Sequence, residues 1–186
     1  MEIVSRVIAS VLTTLYQPFW FAVLLSVVFM FVWKKYRSIK EAVVEWIGCF
    51  RAEKSFRMMF FLTFHTAMIL FRTLLNRTMW ANPVSDVMGG WWIYDKDGKF
   101  TTECFENLAL FIPFTILLLW TYGERIIGEE VRLTRVLWRS TKIVFLFSFT
   151  IEMLQLFLRL GTWQLSDLFY NTLGGFTGGF IGSVTR

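Results

Sequence analysis

Residues 143–160 read IVFLFSFTIEMLQLFLRL, an apolar run interrupted at four places besides Thr150. As a helix, a stretch of this length rises about 27 Å, close to the roughly 30 Å hydrocarbon core of a bilayer. The interruptions are ordered. Ser148, Glu152, Gln155 and Arg159 stand at i, i+4, i+7 and i+11, which a 3.6-residue period places on one stripe. An ionisable side chain at the centre of a membrane helix costs about 2.5–3.5 kcal/mol on the insertion scale. The stripe is therefore expected to face other helices or a ligand, and not lipid.

The composition agrees with a membrane setting. Hydrophobic residues make up 55% of the 186 positions and charged residues 18%, with Phe 21 and Trp 9, against about 25% charged in a soluble domain. Mean hydropathy is +0.53. Too few polar groups are present to cover a water-facing surface, which excludes a water-soluble enzyme. The net charge of +5 and pI near 9.4 would suggest nucleic acid in a soluble chain. Here the basic residues flank apolar runs, so they read as orientation signals, and no nucleic-acid partner is expected.

The pattern predicts an all-α, polytopic transmembrane bundle of about five spans, near 17–33, 58–75, 105–122, 143–160 and 168–184. The first run is long, begins late and lacks an A-x-A pattern, so it is expected to remain as a span. Lys34, Lys35, Arg37, Lys40, Arg51, Lys54 and Arg57 fill the first connection, and Arg125, Arg132, Arg135, Arg139 and Lys142 fill the third. Both are expected to be cytoplasmic, which places the N-terminus outside, the C-terminus inside and the 76–104 connection outside. In the first connection Ile39, Val43, Trp46, Ile47 and Phe50 recur at helical spacing. They predict an amphipathic helix, either on the inner membrane surface or packed on the bundle.

The outer connection carries the turn signals Asn82-Pro83 and Gly89-Gly90. Trp91 to Thr102 then reads as strand, turn and strand, a small extracellular hairpin whose indoles serve as interface anchors. Asp95 and Asp97 lack the other ligands of a calcium loop, and no metal site is expected. Cys49 and Cys104 fall on opposite sides of this topology and are expected to be free. His65, alone in the second span, is expected to make an interhelical hydrogen bond.

Polar residues gather at one depth. Glu103, Glu106 and Asn107 open the third span, which then meets the helix-kinking Pro113. Asn107 and Asn171 fall about 3–6 Å inside the outer boundary and Glu152 about 12 Å inside. In the fifth span Asp167 and Asn171 share a face with Gly174, Gly175, Gly178 and Gly182, whose missing side chains suit close helix packing. A common depth on three helices predicts an outward-opening pocket. The competing expectation is a buried network, Glu152 or Asp167 with Arg159, that fixes helix register.

Three blocks, Asn107-Leu108-Ala109-Leu110-Phe111-Ile112-Pro113-Phe114, Ser148-Phe149-Thr150-Ile151-Glu152-Met153-Leu154-Gln155 and Asp167-Leu168-Phe169-Tyr170-Asn171-Thr172-Leu173-Gly174-Gly175, resemble the signature blocks of the VanZ-like family. Thr73-Leu74-Leu75-Asn76-Arg77 is similar to that family's usual end to the preceding helix. Thr115 stands where the family usually has Gly, and Leu160-Gly161-Thr162-Trp163 replaces its commoner Arg-containing approach to the Asp. The resemblance spans about 58–182. It implies a VanZ-like domain at 58–186 and an N-terminal unit at 1–57, formed by one span and its basic connection.

It also implies polar positions at Asn107, Glu152, Gln155, Asp167 and Asn171, no cofactor, and a bacterial plasma-membrane protein similar to one associated with teicoplanin resistance. The ligand-binding set expected from both routes is Asn107, Glu152, Gln155, Arg159, Asp167 and Asn171. The expected ligand is a membrane lipid, a lipid-linked wall precursor or a lipoglycopeptide. The competing readings are a small membrane enzyme with Glu152 or Asp167 as acid or base, and a structural subunit joined to a membrane partner or a second copy through the glycine face. No nucleophile, metal set or phosphate loop points to catalysis.

Overall fold

A computed structural model describes residues 2–34, 39–95, 97–128 and 132–185. Lys35 and Arg37 of the first connection, and Lys96 of the outer one, lie outside them. The described chain is helical: α1 (Glu2–Tyr16), α2 (Phe19–Lys34), α3 (Ile39–Ala52), α4 (Lys54–Leu70) continued by a π-helical turn (Phe71–Leu75), α5 (Glu103–Ile127), α6 (Leu133–Leu158) and α7 (Leu165–Thr185). Among the described residues, four stretches are long and apolar enough to cross a membrane: Glu2–Lys34, Lys54–Leu75, Glu103–Ile127 and Leu133–Leu158. The glycine-rich α7 is the fifth long helix of the bundle.

Side-chain pairs fix the directions. His65 on α4 reaches the Leu110 carbonyl of α5, Arg72 reaches Glu106, and Tyr122 reaches Met59, so α4 and α5 are antiparallel. Asn171 bonds Ser148, while Gly175 abuts Val144, so α6 and α7 are antiparallel. Asn107 bonds Asp167, and Gly174 and Gly182 face Phe111 and Leu119, so α5 and α7 run together. One end of the bundle thus gathers Lys34, Lys54, Arg125 and the start of α6. The other gathers the 76–102 connection and the α6–α7 turn.

The glycines explain how α7 sits between α5 and α6. A Cβ on Gly178 would lie 2.5 Å from the Ile112 carbonyl oxygen, and one on Gly175 would lie 2.6 Å from Val144 Cβ. Only backbone fits at that separation. Gly178 also lies opposite Thr115, where a Cβ would approach Thr115 Cβ to 2.7 Å; the small partner makes room for this threonine. Above them, Leu110, Phe111, Phe114, Val144, Ile151, Leu62 and Ile69 form the apolar core. His65 Nε2 donates to the Leu110 carbonyl at 2.6 Å, next to the gap that Pro113 leaves in the α5 ladder.

The N-terminal segment departs from a single span. Pro18, with no N–H to give, separates α1 from α2. Gln17 accepts from Asn76 at 3.1 Å, and Ser10 donates to Glu106 at 2.5 Å. Both partners belong to the same end of the bundle, although seven residues of helix rise about 10 Å. Helix α1 therefore lies across that end, with Ile3, Val4, Ile8, Leu12 and Tyr16 exposed along one stripe.

In α3, Trp46, Cys49 and Phe50 pack against Met30, Phe56 and Phe60, while Val43, Val44 and Ile47 stay exposed. The helix is thus packed on the bundle along one stripe only. The expected hairpin takes a looser form: among the described residues there are isolated bridges, Trp91 with Tyr94 and Tyr94 with Phe100, in place of regular strands. An Asx turn explains why the pairing stops short. Asp95 Oδ1 accepts from the N–H groups of Asp97 and Lys99.

Candidate functional site

The π-helical turn shapes one wall. Its wide ladder, with the Asn76 N–H on the Phe71 carbonyl at 2.8 Å, frees the Thr73 carbonyl to accept Gln155 Nε2 at 2.7 Å. It also turns Arg72 toward α5, where Nη2 donates to Glu106 Oε2 at 2.6 Å. The other Glu106 oxygen receives Ser10 at 2.5 Å and Thr102 at 2.7 Å. Glu106 is thus buried with both oxygens occupied.

Helices α5, α6 and α7 supply the remaining walls. Asn107 Nδ2 donates to Asp167 Oδ1 at 2.8 Å, and Arg77 Nη2 stands 3.9 Å from Asp167 Oδ2. Asn171 Nδ2 donates to Ser148 Oγ at 2.9 Å. Glu152, 2% exposed, receives a long bond of 3.3 Å from the Gln164 N–H. Together Arg72, Thr73, Asn76, Arg77, Glu103, Glu106, Asn107, Glu152, Gln155, Asp167 and Asn171 enclose a cavity of about 150 Å³.

Five of the six residues expected to bind ligand therefore line one cavity: Asn107, Glu152, Gln155, Asp167 and Asn171. Arg159 stands elsewhere. It caps α6 with φ 55, in the left-handed region, and its exposed side chain leaves the stripe that Ser148, Glu152 and Gln155 continue. The Asp167 ion pair is made by Arg77 in place of Arg159. Arg72 lies in an apolar span, and an intramembrane arginine is the sequence signal that could have singled it out. Ser10 and Thr73 carry no such signal, because their roles arise from the turn at Pro18 and the π-turn.

A roof lies over this end. The Trp80 N–H bonds the Arg159 carbonyl, Gly161 bonds Thr78, Trp163 bonds Pro83, and Leu165 bonds Val87. Trp91 leans on Phe169 and Tyr170, and Tyr170 Oη accepts the Trp92 N–H at 2.8 Å.

No curated protein and no solved structure matches the chain. Residues 19–186 match the family described as VanZ/LLP1. The match begins at the start of α2, so it includes α3 with the rest of the bundle and leaves only α1 and the turn after it outside. Taken with the order of polar blocks along α5, α6 and α7, it places the chain in the VanZ/LLP1 family.

Proposed function

We propose that this membrane protein acts in the bacterial cell envelope, with its polar cavity opening on the outer face of the plasma membrane and binding the small polar head of a lipid-linked or lipoglycopeptide ligand. The observation that carries the reading is the convergence of side chains from four elements on one cavity at one end of an otherwise apolar bundle. Its size refines the reading. Sites for whole drug-sized molecules run to about 300–1,000 Å³, whereas this one measures about 150 Å³. One head group enters, and the rest of the ligand stays in lipid or above the roof.

Binding is favoured over nucleophilic catalysis by the lining. Among the described residues it contains no serine, cysteine or lysine, and Thr73 gives its hydroxyl proton to the Ile69 carbonyl. Glu152→Gln tests the reading because it keeps the shape and removes the charge. Melting in detergent is expected to stay unchanged, while cells expressing the variant lose the lipoglycopeptide response conferred by the wild type. An early-melting variant would assign Glu152 to the helix-fixing network. Unchanged melting with an unchanged response would remove it from the site.

A further inference from the structure

The hydrogen-bond inventory of the cavity is one-sided. Most of its donors are engaged by the walls: Arg72 on Glu106, Asn107 on Asp167, Asn76 on Gln17, Asn171 on Ser148 and Gln155 on the Thr73 carbonyl, while Arg77 is turned to Asp167 as an ion pair at 3.9 Å. The Gln155 bond fixes an orientation. A backbone carbonyl cannot donate, so Gln155 must offer it the NH2 group, and Oε1 is the end left over. Gln155 Oε1 and Asn171 Oδ1 are buried with no partner, on residues each 2% exposed. Glu152 adds a carboxylate met only by one long N–H contact.

Charge points the same way. Glu103, Glu106, Glu152 and Asp167 face two guanidinium groups, Arg72 and Arg77, which leaves a formal surplus of two negative charges around the cavity. An anionic phosphate would meet carboxylates and unpaired carbonyl oxygens. A quaternary ammonium would satisfy the charge but bring no N–H, and the buried oxygens would remain unpaired.

We infer that the cavity takes a primary ammonium group, with Glu152 as its counter-ion and the side-chain carbonyls of Gln155 and Asn171 as its hydrogen-bond acceptors. This assignment rests on the head-group reading above and narrows its chemistry. The ammonium can be borne by a lipid head group or by a free amine, and the two sources are separable by experiment.

Full-length protein is placed in nanodiscs of phosphatidylcholine containing equal amounts of phosphatidylethanolamine and phosphatidylglycerol. Lipids retained after extraction are counted by native mass spectrometry, for wild type and Glu152→Gln. In parallel, free ethanolamine is added to protein in pure phosphatidylcholine discs and melting is followed. Retention of the ethanolamine lipid at least tenfold above both others, lost in Glu152→Gln, establishes a lipid-borne ammonium. A Glu152-dependent rise in melting temperature with free ethanolamine, without lipid preference, establishes a soluble source. Equal retention of all three lipids, or preference for the glycerol lipid, without a response to ethanolamine overturns the ammonium assignment; if the retained lipid is lost in Glu152→Gln, the head-group reading survives. No retained lipid and no response to ethanolamine overturn both. The wild-type comparison stands even if the variant folds poorly.

Discussion

The two ends of the bundle carry the same residue types and use them differently. At the basic end Lys34 meets Glu53 at 3.1 Å with both side chains partly exposed, and Arg139 donates to the Ile126 carbonyl at a helix end. At the other end Arg72 meets Glu106 at 2.6 Å, with the Glu106 side chain only 8% exposed. Water reaches the Glu53 carboxylate far more readily than that of Glu106, although Arg72 itself is 32% exposed. The number of ion pairs therefore says little; their depth decides whether they matter.

That contrast can be broken by measurement. Arg72→Met leaves Glu106 buried without its cation, and about 3–5 kcal/mol of destabilisation is expected, read as loss of folded protein in detergent. A variant that melts like wild type would show that water reaches Glu106. Gly178→Ala forces a Cβ against the Ile112 carbonyl, and about 1–3 kcal/mol of overpacking is expected in the same assay. The opposite sign is expected at Gly48, an exposed α3 position with open space around it. There Gly48→Ala is expected to raise stability by about 0.5–1 kcal/mol through helix propensity, and a fall would show that α3 packs differently.

The smallest effect is expected at Glu53. Lys34 donates to its carboxylate and holds its pKa below the usual range. What this pair contributes is present at neutral pH and is lost as pH falls through that lowered value. Because Glu53 is open to solvent, Glu53→Gln should leave neutral-pH melting unmoved. The orientation of the two ends is checked separately. In a background without native cysteines, Lys99→Cys is expected to react with an impermeant reagent in intact cells and Lys40→Cys to remain unlabelled. The reverse pattern would turn the cavity toward the cytoplasm.

Much of this was legible from residue spacing. The apolar runs between charged connections gave the long helices, and the stripe through Ser148, Glu152 and Gln155 reaches the cavity as its period implies. Periodicity failed where the backbone left the 3.6 repeat. The π-turn at 71–75 widens the repeat, so Arg72 within it and Arg77 just after it, five residues apart, both reach the cavity, which no α-helical stripe anticipates. The left-handed cap at Arg159 removes that side chain from its stripe. Helix α1 is not legible in the sequence because Ser5, Arg6, Ser10, Thr13 and Thr14 interrupt its apolar residues, so that the first span is expected to begin only at Gln17.

The roof over the cavity is tied to the α6–α7 turn through main-chain groups, from Trp80 to Leu165. Peptide bonds are common to every residue, so this attachment asks almost nothing of the side chains it carries. Side-chain substitutions between Thr78 and Val87 that keep the backbone path are therefore expected to leave the register of the helices below undisturbed.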